Sequence, residues 1–153
     1  MLKSKYFTCK ELVQSELIKI HGSEYCIERI GWFIIGGLDC LREDYEREVK
    51  KRGLYKRPKD AHIIINGRFG WFRKLFKYSG VRAKDCKVGA KYSRHKEWRA
   101  FDLKCYHFDV LVDLVLNNFE KYGIYRIENP ARTKTWLHAE FGKNIDKLLI
   151  FNP

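Results

Sequence analysis

The order of apolar patterns along the chain constrains the fold more than any other feature. Helical stripes come first, and short strand-like runs follow, interrupted by one further helix. Thr8 and Glu11 form a capping box at the start of the first helix, and Leu12, Val13, Leu17 and Ile18 supply its apolar face. A second helix is predicted from Glu28 to Lys51, carrying Ile30, Ile34, Ile35, Leu38, Leu41 and Tyr45, with Gly53 as its stop. Pro58-Lys-Asp60 reads as a turn and Ala61–Asn66 as a buried strand. Gly67–Gly89 is glycine-, aromatic- and Lys/Arg-rich and is expected to be irregular, a loop long enough to carry function. Arg99–Cys105 suits a strand, and Phe108–Tyr122 a helix with Val112, Val115, Leu116 and Phe119 at helical spacing, ended by Gly123. Three short strands complete the pattern at Ile124–Glu128, Thr135–Phe141 and Lys147–Phe151. Helices followed by mostly antiparallel strands make an α+β fold, with a small antiparallel sheet and N-terminal helices packed on it.

At 153 residues the chain suits one domain, taken here as 1–153. Its 45% hydrophobic and 15% aromatic content is enough for a core, which excludes wholesale disorder. No apolar run approaches the roughly 20 residues of a membrane-spanning helix, and no apolar segment of a signal peptide follows the N-terminal lysines. The chain is therefore expected to be soluble and cytoplasmic on synthesis. With 31 Lys+Arg against 19 Asp+Glu, the net charge is +12, which suits a polyanionic partner. The basic residues are spread along the chain, which argues against a specific nucleic-acid reading head. Five widely separated cysteines with no CxxC pair exclude a disulfide framework and a thiolate zinc knuckle.

His95, Asp102 and His138 are the residues that can carry chemistry. His95 lies at the end of a loop, Asp102 enters the following strand, and His138 falls on a neighbouring strand. Two imidazoles and a carboxylate with an open fourth position match the layout of catalytic rather than structural zinc.

Ser93-Arg-His95-Lys-Glu-Trp-Arg-Ala-Phe-Asp102 resembles the SxHxxGxAxD motif of the zinc D-Ala-D-Ala peptidases, and Trp136-Leu-His138 resembles their WxH motif. Tyr6–Ser15, Leu38–Arg42, Ile64–Asn66 and Ser79–Arg82 are similar to further stretches of that family, so the likeness extends over nearly the whole chain. The resemblance implies the hedgehog/DD-peptidase fold, one Zn2+ on His95, Asp102 and His138, and hydrolysis of peptidoglycan stem peptides. It implies Ser93 as a residue behind the ligands, and Arg82, with Arg68 as runner-up, as the group holding the substrate carbonyl or carboxylate. An anionic wall polymer is a further partner, and a phage setting implies virion association or holin-type release.

Two positions depart from the family. Its general base stands three residues before the last histidine, where this chain has Thr135, and Trp98 replaces the motif glycine. Glu140, two residues after His138, and Glu128, on the preceding strand, are the replacement carboxylates to weigh. Thr135 also leaves open a zinc-binding or wall-binding module without turnover, and the charge leaves open a basic nucleic-acid-binding domain. Phe69, Trp71, Phe72, Phe76 and Tyr78 are candidates for a substrate groove, whereas His21, His62 and His107 match nothing in the family.

Overall fold

The computed structural model describes residues 2–69, 74–143 and 145–152. Four helices open the chain: α1 (Cys9–Leu12), α2 (Ser15–His21), α3 (Ser23–Ile30) and α4 (Trp32–Lys51). The Glu11 carboxylate accepts the Thr8 backbone N–H at 2.8 Å, as the capping-box pattern requires. The helix expected from Glu28 to Lys51 is instead two. Gly31 sits at φ 87°, a left-handed conformation that ends α3 and redirects the chain into α4.

A 3-10 turn at Pro58–Ala61 forms where a turn was expected and takes in the first residue of the expected strand; of the Ala61–Asn66 run only Ile64 forms a bridge, to Lys104. Ile63 and Ile65 are nevertheless buried, so the apolar run marks core rather than strand. The stretch expected to be irregular contains an antiparallel pair, β1 (Gly67–Phe69) and β2 (Lys74–Phe76). Trp71 and Phe72 of the expected aromatic groove lie outside the described residues.

Four strands form the main sheet: β3 (Ala100–Leu103), β4 (Ile124–Glu128), β5 (Leu137–Phe141) and β6 (Leu149–Phe151), in the order β3-β5-β4-β6. The first two pairings are antiparallel, as expected, but β6 runs parallel to β4. α5 (Phe108–Tyr122) crosses between β3 and β4 and is capped by Gly123 at φ 69°. Its buried side is Val110, Leu111, Val115 and Tyr122; Leu116, expected on the apolar stripe, is 41% exposed.

The sheet has two unlike faces because side chains alternate along each strand. Phe101 and Leu103 of β3, with Leu137, Ala139 and Phe141 of β5, face a core shared with Ile34, Ile35, Leu38 and Leu41 of α4. Asp102, His138 and Glu140 occupy the opposite face. α4 approaches α5 closely at Gly37, where a β-carbon would come within 3.0 Å of the Tyr122 carbonyl carbon. Asp44 locks the same two helices, accepting from Tyr122 Oη at 2.8 Å and Lys121 Nζ at 2.5 Å. No helix among the described residues is long and apolar enough to cross a membrane.

Candidate metal centre

β3 and β5 pair so that Asp102 stands directly opposite His138. His95 comes from the 3-10 turn Arg94–Glu97, which packs beside β3. That turn ends at Trp98, the described non-glycine residue with positive φ, at 67°. That left-handed conformation favours glycine, and a tryptophan adopts it here at a cost of roughly 1–2 kcal/mol. Packing of the half-buried Trp98 ring on the core offsets that cost.

Three potential ligand atoms converge. Asp102 Oδ1 lies 2.9 Å from His138 Nδ1 and 3.2 Å from His95 Nε2, and the two ring nitrogens are 3.2 Å apart. A tetrahedral ion about 2.0–2.1 Å from each donor would hold them roughly 3.3–3.4 Å apart. The observed triangle needs only small adjustment to accept one. This is the group of three or more His, Cys, Asp or Glu found in such an arrangement among the described residues, and His21, His62 and His107 have no part in it.

The outer nitrogens fix which lone pairs point inward. His95 Nδ1 faces the Gly80 carbonyl at 2.9 Å, which can only accept, so Nδ1 carries the proton and Nε2 presents its lone pair to the triangle. His138 Nε2 likewise donates to Glu140 Oε1 at 3.3 Å, leaving Nδ1 facing inward. Such outer partners orient ligands and raise their basicity. The inner atoms compete for one proton. Burial opposes the charge on His138, but hydrogen bonds to Asp102 and Glu140 outweigh it and push its pKa up to about 9. Burial also opposes ionisation of Asp102, yet His138 and His95 hold its carboxyl well below the usual carboxylate range. A cation held there would take the place of that shared proton.

Arg82 stands behind Asp102. Its Nη2 donates to Asp102 Oδ2 at 3.3 Å, Nη1 to the Val88 carbonyl at 3.4 Å and Nε to the Tyr78 carbonyl. The guanidinium lines the cleft and pairs with the Asp102 carboxylate there. The side chain of Arg68, its runner-up, lies outside those described. Lys104, 3% exposed, donates to the Asp102 carbonyl at 3.1 Å and to Ser79 Oγ at 2.5 Å. Burial, opposed by the Asp102 charge, pulls its ammonium pKa down to about 8.

Glu140 is 3% exposed and fully engaged, with Tyr125 Oη at 2.8 Å, Arg126 Nη1 at 3.3 Å and the His138 ring. A register shift between Ile124 and Arg126 turns Tyr125 and Arg126 onto this carboxylate. Burial would raise its pKa, but these donors hold it down. Glu140 therefore bears on the outer nitrogen of His138, away from the ligand triangle.

A cleft of about 730 Å³ opens over the triangle. Ser93, Glu128, Trp136 and Arg132 line it, as do Arg94 and Arg126; Thr135 is exposed and lies outside that lining. Sequence reasoning passed over Gly80, Tyr125, Arg126 and Lys104. Only Gly80, two residues before Arg82 in the Ser79–Arg82 motif, left a signal in the sequence. Comparison with known proteins finds no matching family model, no similar curated protein and no similar solved structure.

Proposed function

We propose that the chain is a zinc-dependent peptidase of the hedgehog/DD-peptidase kind, hydrolysing peptide bonds of peptidoglycan stem peptides. The observation that carries the reading is the ligand triangle itself: three inward lone pairs, each ligand held from behind by a neighbouring group. Gly80 orients His95, Arg82 orients Asp102 and Glu140 orients His138. The donor set of two imidazoles and one carboxylate leaves a fourth position open toward the cleft, as hydrolytic zinc sites do. A zinc ion held by His95 Nε2, Asp102 Oδ1 and His138 Nδ1 would supply Lewis acidity and a water acidified toward neutral pH.

The protein's own residues do the rest. Burial of His95 and His138 keeps bulk water from the inner nitrogens. The Arg82 ion pair keeps Oδ1 of Asp102 turned inward. Arg94, Arg126 and Arg132 line the cleft and offer contacts to an anionic substrate group, and the chain's net charge of +12 suits an anionic wall polymer. Trp136, 38% exposed at the cleft rim, offers a flat apolar face to a peptide or sugar.

Digestion of purified muropeptides by the zinc-loaded protein tests the proposal. New amine and carboxyl termini are expected, and their loss in Asp102→Ala. A second reading, the same zinc-binding fold without turnover, is favoured by one observation: the position of the family's base is an exposed Thr135 outside the cleft. Intact muropeptides recovered bound to the zinc form would select that reading.

A further inference from the structure

We propose that Glu128 is the carboxyl group that exchanges a proton with the hydrolytic water, an assignment that rests on the peptidase reading above. Four carboxyl groups line the metal cleft: Glu97, Asp102, Glu128 and Glu140. Three are committed. Glu97 pairs with Arg94, Asp102 is a ligand held from behind by Arg82, and Glu140 is taken up by His138, Tyr125 and Arg126. The Glu128 side chain forms no hydrogen bond or ion pair among the described residues.

Strand register places that carboxyl group beside the centre. β4 and β5 pair Arg126 with Glu140 and Ile127 with Ala139, so Glu128 stands one step further, across from His138. Opposite residues of an antiparallel pair project to the same face, with β-carbons roughly 4.5–5.5 Å apart. Glu128 thus shares the face of His138 and Glu140, and its charge is among those that favour the His138 cation. Arg126, its neighbour on that face, is turned away: its guanidinium lies 3.8 Å over the Phe151 ring and binds Glu140. Arg82, Arg94 and Arg132 are the other cations that line the cleft. Glu128 is half-buried, open to the cleft without being exposed to bulk solvent on all sides.

The step balances without any further reactant. As the water oxygen bonds to the carbonyl carbon of the scissile amide, one water proton moves to a Glu128 carboxylate oxygen. When the C–N bond breaks, its electron pair leaves with nitrogen and Glu128 returns the proton to that nitrogen. One amide and one water become one carboxylic acid and one amine, with no change of oxidation state. Glu128 thereby fills from a neighbouring strand the role that Thr135 cannot perform.

The test compares Glu128→Gln and Glu140→Gln in the full-length protein, reading zinc affinity by chelator competition and turnover on muropeptides. Glu128→Gln is expected to hold zinc within about twofold of wild type, showing an intact site, while kcat falls about 10²–10⁴-fold. Glu140→Gln is expected to lose about 10–100-fold in zinc affinity and to regain turnover at saturating zinc. An active wild type with Glu128→Gln within threefold of its kcat, or zinc lost from Glu128→Gln, overturns the assignment alone. A wild type that binds zinc but cleaves no muropeptide overturns the peptidase reading and the assignment with it.

Discussion

Gly80→Ala probes the joint at which the N-terminal helices support the metal centre. Gly80 has a neighbour on either side: its carbonyl accepts from His95 Nδ1, and its α-carbon lies against the end of α1. A β-carbon there would overlap the Leu12 carbonyl oxygen, lie 2.7 Å from the Leu12 carbonyl carbon and 3.2 Å from Asn66 Nδ2. Ordinary carbon contacts are about 3.5–4.0 Å, so the two backbones must part by roughly 1 Å. That movement strains the bonds flanking the contact, Val81 N–H to Leu12 O at 2.8 Å and Gln14 N–H to Val81 O at 2.9 Å. Overpacking costs about 1–3 kcal/mol and each of the two weakened hydrogen bonds about 0.5–1.5, together about 2–6 kcal/mol. Displacing the Gly80 carbonyl also releases His95, at about 10–100-fold in zinc affinity. Denaturant unfolding of the metal-free protein followed by circular dichroism gives the first quantity, and chelator competition the second. A stability change under about 0.5 kcal/mol with unchanged zinc affinity would refute the close approach and the role given to Gly80.

Adjacent glycines in α4 give a second check. Gly36 is exposed and a β-carbon there would meet nothing within 4 Å, so Gly36→Ala should stabilise by about 0.5–1 kcal/mol. Gly37→Ala drives a methyl into the Tyr122 backbone and should destabilise by about 1–3 kcal/mol or more; equal effects at the two sites in thermal melts would contradict the α4–α5 packing. Asp44→Asn should cost about 2 kcal/mol at pH 7, chiefly through the buried Tyr122 hydrogen bond, because Lys121 and Arg47 are half-exposed or more and screened. Burial opposes the Asp44 charge, but Lys121 and Tyr122 hold its pKa below the ordinary value. Its stabilising effect is therefore complete above about pH 4 and lost as pH falls through the folded-state value, so wild type and variant should converge in acid. Unfolding curves that stay equally separated at low pH would assign the loss to something other than the carboxylate.

α4, α5 and the three strands after α5 were legible because apolar spacing and glycine stops report local geometry directly, whereas the single first helix expected over Leu12–Ile18 is two, α1 and α2, parted at Val13, whose backbone is extended. Gly123 ended α5 where expected, whereas Gly31, inside an unbroken apolar pattern, broke a helix that periodicity alone joins. The parallel pairing of β6 was not legible, since strand direction is set by the path of the 129–148 connections and not by residue type. At the site, His95, Asp102 and His138 could be singled out because ligating side chains are chemically distinctive. The division of labour between Glu128 and Glu140 could not. Alternation put Glu140 on the face of His138, but a register shift in β4 delivers Tyr125 and Arg126 to it and consumes its carboxylate. Gly80 stood in the Ser79–Arg82 motif, but the role of its carbonyl was not legible because a backbone acceptor is the same for every residue type.

Metal content bears most directly on the central claim. Protein purified with zinc, freed of excess by gel filtration and assayed by atomic emission, should hold one zinc per chain. His95→Ala, Asp102→Ala and His138→Ala should hold essentially none while His107→Ala retains it. A wild type without stoichiometric zinc, or ligand variants that keep it, would contradict the assignment of His95, Asp102 and His138 as the metal centre.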